Sequence, residues 1–357
     1  MSRLWTPRTW IILGGLALGT LATLLTKWGN PPNMGICVAC FVRDIAGALG
    51  LHQAGVVQYL RPEIMGFLLG AFASARAFGE FRSRGGSSPI IRFFLAMFLM
   101  VGALVFLGCP IRALVRLAGG DLNGIPALGG LVFGVFIGIQ FLKRGYTLGR
   151  SGNVFPVAGW IMPLCMVALL LLALFNPRFI LTSTAGPGSL YAPLWISLLV
   201  GLFVGFIAQR TRMCSVGAWR DLILIRDTHL FSGVVAFFIA ALVSNYALGN
   251  FSSGLYHWGF EGQYVAHTDH LWSFLGMTLV GLTATFLGGC PLRQIILSGE
   301  GDVDASTTVL GLIAGGAIAH NFLLASSPNG VSAFGPLVVV LGLVFTLTIG
   351  FLMREKT

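Results

Sequence analysis

The chain has 357 residues, 56% of them hydrophobic and only 10% charged, with a mean hydropathy of +0.86. A water-facing domain carries about 25% charged residues, so a soluble fold is excluded, and the lack of alternating patterning argues against a membrane β-barrel. The net charge of +10 does not indicate a nucleic-acid binder, because the basic residues sit in loops between apolar stretches, where they set membrane topology.

In chain order, the first apolar run follows Arg3 and Arg8 and has the look of a signal peptide. It lacks a small-x-small cleavage site and is long enough to span, so it is read as an uncleaved first helix. Spans are expected at 10–28, 56–78, 90–108, 126–142, 156–175, 191–209, 230–249, 270–289, 307–325 and 335–353, near the 20 residues that cross about 30 Å of hydrocarbon. Four shorter apolar pieces, 36–50, 109–119, 213–226 and 290–299, lie between them. Each is too short to cross and too apolar for an ordinary loop, which marks re-entrant segments. An even number of spans puts both termini on one side. If that side is cytoplasmic, sixteen of the 22 Lys and Arg lie inside, including Arg76, Arg82, Lys143, Arg210, Arg354 and Lys356, while 250–269 and 326–334 contain none. This is a positive-inside distribution. The 49 glycines suit close helix packing in a membrane.

An internal repeat organises the chain. Gly108-Cys109-Pro110-Ile111-Arg112 recurs as Gly289-Cys290-Pro291-Leu292-Arg293, an offset of 181 that also relates Gly120-Asp121 to Gly301-Asp302 and Gly130 to Gly311. Cys37 with Arg43-Asp44 recurs as Cys214 with Arg220-Asp221, at an offset of 177. Residues 1–180 and 181–357 are thus read as two repeats of five spans, each with two re-entrant pieces. An odd span count inverts one half relative to the other, a plan that places transporter substrates at the repeat interface. The expected fold is all-α and polytopic.

The cysteines at 37, 40, 109, 165, 214 and 290 lie in or beside apolar segments, so a disulfide framework is not expected. Proline favours the first turn of a helix, which sets Cys109 and Cys290 at or beside the N-caps of short helices. A helix N-terminus offers free N–H donors and partial positive charge to an anion. Arg112 and Arg293 follow on nearly the same face, so each could join the anion site or pair with Asp121 and Asp302. Cys37 and Cys214 open the other two pieces. Arg43-Asp44 and Arg220-Asp221 stand about 9 Å further along the axis and read as packing or vestibule salt bridges. Cys40 makes Cys-x2-Cys with Cys37, a pattern open to a redox dithiol, a metal site or a second pore thiol; Gly217 replaces it in the second half. Met34 and Met213 would give a soft lining. Cys165 reads as core. His257, His267 and His270 with Asp269 read as a solvated loop or a metal site, and His320, beside Asn321, as an intramembrane functional candidate or a neutral histidine donating to a neighbouring carbonyl. No phosphate-binding GxxxxGK[ST] loop is present, and neither a cofactor nor a resident metal is expected.

The repeated Gly-Cys-Pro, the cysteine-led short segments and the paired halves resemble the YeeE/YedE family of bacterial membrane proteins, over essentially the whole chain. That family includes thiosulfate uptake proteins and a selenium-associated branch. The resemblance implies an inner-membrane transporter whose short helices meet near the membrane centre. Its cysteines would pass a small sulfur or selenium anion through transient thiol contacts, a role falling here on Cys109, Cys214 and Cys290, with Cys37 as the counterpart of Cys214. Cys37-x2-Cys40 and the arginine of Cys-Pro-x-Arg are closer to the selenium branch. The substrate-path candidates are therefore Cys37, Cys40, Cys109, Cys214, Cys290, Arg112 and Arg293. A small soluble sulfur-carrier protein on the cytoplasmic side is a candidate partner; nucleic acid is not. Two other readings stand beside transport: a membrane thiol–disulfide enzyme using Cys37 and Cys40, and a non-transporting assembly subunit.

Overall fold

The protein is described by a computed structural model covering residues 6–355; Arg3 and Lys356, two of the topology-marking cations, lie outside the described residues. The helices are α1 (Pro7–Lys27), α2 (Val38–Ala48), α3 (Pro62–Ala77), α4 (Pro89–Phe106), α5 (Pro110–Ala118), α6 (Gly124–Leu142), α7 (Ile161–Phe175), α8 (Leu194–Thr211), α9 (Ser215–Ile225), α10 (His229–Ala247), α11 (His270–Leu287), α12 (Pro291–Gly299), α13 (Val303–Asn321) and α14 (Gly335–Leu352). Two two-residue strands, β1 (Arg84–Gly85) and β2 (Gly152–Asn153), pair antiparallel in connecting loops. The protein is an all-α, multi-pass membrane protein. Nine helical stretches among the described residues are long and apolar enough to cross a bilayer. The expected second span, α3, has 16 residues and rises only about 24 Å, so it is shorter than the sequence pattern suggested.

The short helices exist because the chain breaks before each of them. Leu107, Arg212 and Gly288 adopt left-handed backbone at φ 68°, 55° and 84°, two residues ahead of Cys109, Cys214 and Cys290. A left-handed residue ends an α-helix by satisfying its last carbonyls. α1 ends earlier, at Lys27, and the chain turns through Pro31, Pro32 and a left-handed Asn33, φ 58°, before it reaches Cys37. Gly35 then packs directly against the backbone of Ala22, five residues inside the end of α1. The chain has therefore doubled back by about 7 Å, which carries Cys37 into the protein's interior.

Glycines let backbones touch where the repeat is tightest. Gly130 and Gly134 of α6 lie against the carbonyls of Phe274 and Thr278 in α11, and Gly311 and Gly315 of α13 against those of Phe93 and Met97 in α4. Every residue in the second set sits 181 positions from its counterpart in the first. Likewise Gly19 of α1 meets the Phe237 carbonyl of α10, and Gly205 of α8 meets that of Phe67 in α3. Such small-residue contacts associate helices where no hydrophobic drive operates. α7 and α14 depart from the exchange: α7 packs on α3 and α12, α14 on α4 and α11. Cys165 lies exposed on α7 and is not a core residue, because this peripheral helix turns much of its apolar surface outward.

Candidate functional site

All four short helices begin on a cysteine: Cys37, Cys109, Cys214 and Cys290 are the N-cap residues of α2, α5, α9 and α12. Cysteine is outside the set of favoured caps, which are Ser, Thr, Asp and Asn. Four such choices are not explained by helix stability. The short helices touch across the repeat, α2 against α12 and α5 against α9.

The thiols form two groups. In the first, Cys37 Sγ lies 2.7 Å from Cys40 Sγ and 3.8 Å from Cys109 Sγ, and accepts the Cys40 backbone N–H at 3.4 Å. The backbone N–H groups of Arg112 and Ala39 are directed at the Cys109 sulfur. In the second, Cys214 Sγ accepts the N–H of Gly217 at 3.2 Å and that of Cys290 at 3.3 Å; the N–H groups of Arg293 and Ser215 face the Cys290 sulfur. All five cysteines are free and buried. Each group thus collects donors from two helix N-termini, a setting that suits an electron-rich guest.

The two groups lie toward opposite ends of the bundle. Cys214 lines a cavity of about 460 Å3 together with Arg212, Gly217, Arg220, His229, Gly288 and Arg293. An adjoining cavity of about 590 Å3 shares Thr211, Arg212 and His229 but holds no sulfur. From His229, α10 runs 19 residues to the opposite end. There the loop after it folds over the first group: Tyr256 Oη accepts the Asn33 N–H at 3.0 Å, and Val265 carbonyl accepts Arg112 Nη2 at 3.2 Å.

The two arginines of the repeated motif have diverged. Arg112 is fully buried and gives Nε to the Asn33 carbonyl at 3.2 Å and Nη1 to Cys40 Sγ at 3.7 Å. Arg293 reaches Glu300 at 3.1 Å and borders the arginine-lined cavity. Neither pairs with Asp121 or Asp302, the partners the sequence offered. Asp121 pairs with Arg116 at 2.5 Å, and Asp302 with Arg84 at 2.8 Å. Arg43 does bind Asp44 at 2.7 Å as a buried salt bridge, and Arg220 binds Asp221 at 2.8 Å beside the cavity. The sequence did not single out Arg61, which shares the Asp44 carboxylate at 2.7 Å and lies over the Phe41 ring. Nor did it single out Arg116 as the partner of Asp121; a buried position one helical turn beyond Arg112 was the available signal.

Met34 and Met213 are buried near the thiols in sequence. His267 is buried and bonds the Val105 carbonyl at 2.8 Å, so it is not part of a solvated loop. His257 and His270 bond elsewhere, to the Glu261 carbonyl and to Asn123. No three potential ligands gather for a metal among the described residues. The His320 ring lies 4.6 Å from that of His52, tilted by 33°, and Asn321 bonds the Leu51 carbonyl at the helix end.

Residues 210–354 match a family model described as sulphur transport. No curated protein matches the chain. The match takes in α9 to α14, with Cys214, Cys290 and the second Gly-Cys-Pro. With the first-half copies of those motifs, it supports assigning this multi-pass membrane chain to the YeeE/YedE family of sulphur-transport proteins.

Proposed function

We propose that the protein takes up a small sulfur- or selenium-containing anion by passing it between the two thiol groups, from the Cys37–Cys40–Cys109 end to the Cys214–Cys290 end. The observation that carries this is the placement of a cysteine at the N-cap of every short helix. Thiosulfate has a soft terminal sulfur and a charged oxo end. Polarizable thiols suit the first, while helix N-termini and Arg112 suit the second. A strongly hydrated anion with oxygen alone gains less from such a lining. Residues 1–180 and 181–357 act as inverted halves around this passage in the inner membrane. The arginine-lined cavity is its cytoplasmic mouth, which puts both termini in the cytoplasm. Arg212, Arg220 and Arg293 would draw the anion onward there, and a small sulfur-carrier protein would receive it. Cys40 and Arg112 favour a selenium species as the alternative cargo.

The test is uptake of labelled thiosulfate into vesicles, with selenium oxyanions and hydroselenide as competitors. Cys109→Ala and Cys290→Ala, present at parental levels, should each lose most uptake; parental rates in both would sink the relay. A second reading, thiol–disulfide chemistry at Cys37 and Cys40, is favoured by their 2.7 Å separation. Rapid alkylation and mass spectrometry decide it: a reversible disulfide during turnover supports redox work, and two free thiols throughout remove it.

A further inference from the structure

Arg112 is unlike the other fully buried arginines. Arg43 and Arg61 hold Asp44, and Arg116 holds Asp121. Arg112 faces two backbone carbonyls and a thiol, with no carboxylate in ion-pair reach among the described residues. A buried cation is costly without a carboxylate partner, which sets Arg112 apart as the buried guanidinium most open to an anion.

A second group beside it is also incomplete. Asn33, whose carbonyl takes Arg112 Nε, is fully buried, and neither polar atom of its side-chain amide has a partner. The amide lies against Gly119, where a Cβ would collide with it. Buried amides are nearly always satisfied, and this one belongs to the residue whose carbonyl holds the Arg112 guanidinium.

The cover over both groups is a single loop. Tyr256 Oη sits on the Asn33 N–H, Gly259 exchanges bonds of 3.0 Å with Gly120 and Leu122, and the Phe260 carbonyl takes Asn123 Nδ2 at 2.7 Å. At its far end Val265 turns its carbonyl onto Arg112 from a left-handed backbone, φ 48°. A β-branched residue there is strained, and such strain collects at ligand clamps.

We infer that Asn33 and Arg112 form a loading site beneath the 256–265 loop that grips the oxygen end of the anion before its soft end reaches the Cys37–Cys40–Cys109 thiols. In the closed form the Val265 carbonyl holds the place of an anion oxygen on the guanidinium. The inference rests on the transport reading for its ligand and adds the residues that select for an oxo end and the segment that must lift to admit it.

Two substitutions in the full-length protein test it, read by thiosulfate uptake kinetics and by thermal unfolding in detergent. Asn33→Gly keeps the left-handed backbone and removes the amide; KM should rise about tenfold, the loss of one charge-assisted hydrogen bond, with maximal rate within about a factor of two. Asn33→Asp is isosteric and puts a resident negative charge in the space proposed for the anion's oxygens, near Arg112. It should abolish thiosulfate uptake while unfolding at a higher temperature than the parent, a combination that misfolding cannot produce. A parental KM in either variant, or a destabilised Asn33→Asp protein, overturns the inference. Failure of the transport reading is separate: it appears as no thiosulfate uptake by the parent protein, and failure of the relay as normal uptake in Cys109→Ala and Cys290→Ala, whatever Asn33 does.

Discussion

Replacing Cys214 by serine separates what its sulfur does for the fold from what it does for the substrate. Cys214 caps α9, and its sulfur takes two backbone N–H groups, from Gly217 at 3.2 Å and Cys290 at 3.3 Å. A serine hydroxyl is the better cap; losing a good cap to alanine costs about 1 kcal/mol. Cys214→Ser should thus unfold at or slightly above the parental temperature, and Cys214→Ala about 2 °C below it. Transport should order the variants differently. A hydroxyl is a hard, weakly polarizable partner for a terminal sulfur or selenium. Losing about 1.4 kcal/mol of soft contact lowers occupancy of that position about tenfold. Labelled thiosulfate uptake into vesicles, normalised to protein level, should therefore fall about tenfold in both variants. If serine restores parental uptake and alanine does not, Cys214 is only a helix cap and the thiol path is wrong.

Other perturbations test the scaffold and the loop. Asp44→Asn leaves the buried guanidiniums of Arg43 and Arg61 without their shared carboxylate; a loss of about 3–5 kcal/mol should show as poor membrane accumulation and a lowered unfolding temperature. Gly134→Ala drives a methyl into the Thr278 carbonyl of α11, so it should destabilise far more than the roughly neutral change expected at an open position such as Gly55; equal behaviour would deny the close packing. Val265→Gly relieves a left-handed strain of about 1 kcal/mol, which should raise the unfolding temperature and slow uptake about fivefold by favouring the closed loop; faster uptake would contradict that placement. Glu80, outside the spans, accepts from Gln209 at 2.6 Å and Arg210 at 2.9 Å, and these bonds hold its carboxyl below its ordinary value. The stability it lends is complete above the ordinary glutamate range and disappears as pH falls through the lowered value. Between about pH 5 and pH 3 the parent should therefore lose more stability than Glu80→Gln, and parallel pH profiles would show the bonds to be inconsequential.

Much of the architecture was readable before any coordinates. Apolar runs near 20 residues, the cations gathered in alternate loops, and the recurrence of Gly-Cys-Pro-x-Arg are one-dimensional signals. They reflect local requirements: hydrocarbon thickness, and the preference of proline for a helix's first turn. Hence the ten expected spans, the four short helices and the capping positions of Cys109 and Cys290 followed from the chain itself, with α3 the one that came out short. The sequence could not say which charges meet. Arg112 and Arg116 are one turn apart and chemically alike, yet Asp121 takes only the second, because the turn after α5 returns the carboxylate toward that position. Arg112 and Arg293 occupy equivalent motif positions, and folding gave one a Glu300 and left the other facing carbonyls and a thiol. Asn33 is far in sequence from Tyr256 and Val265, and none of the three carries a motif. Burial and the approach of one loop to a broken helix made them neighbours, and long-range contacts of that kind are properties of the packed chain alone.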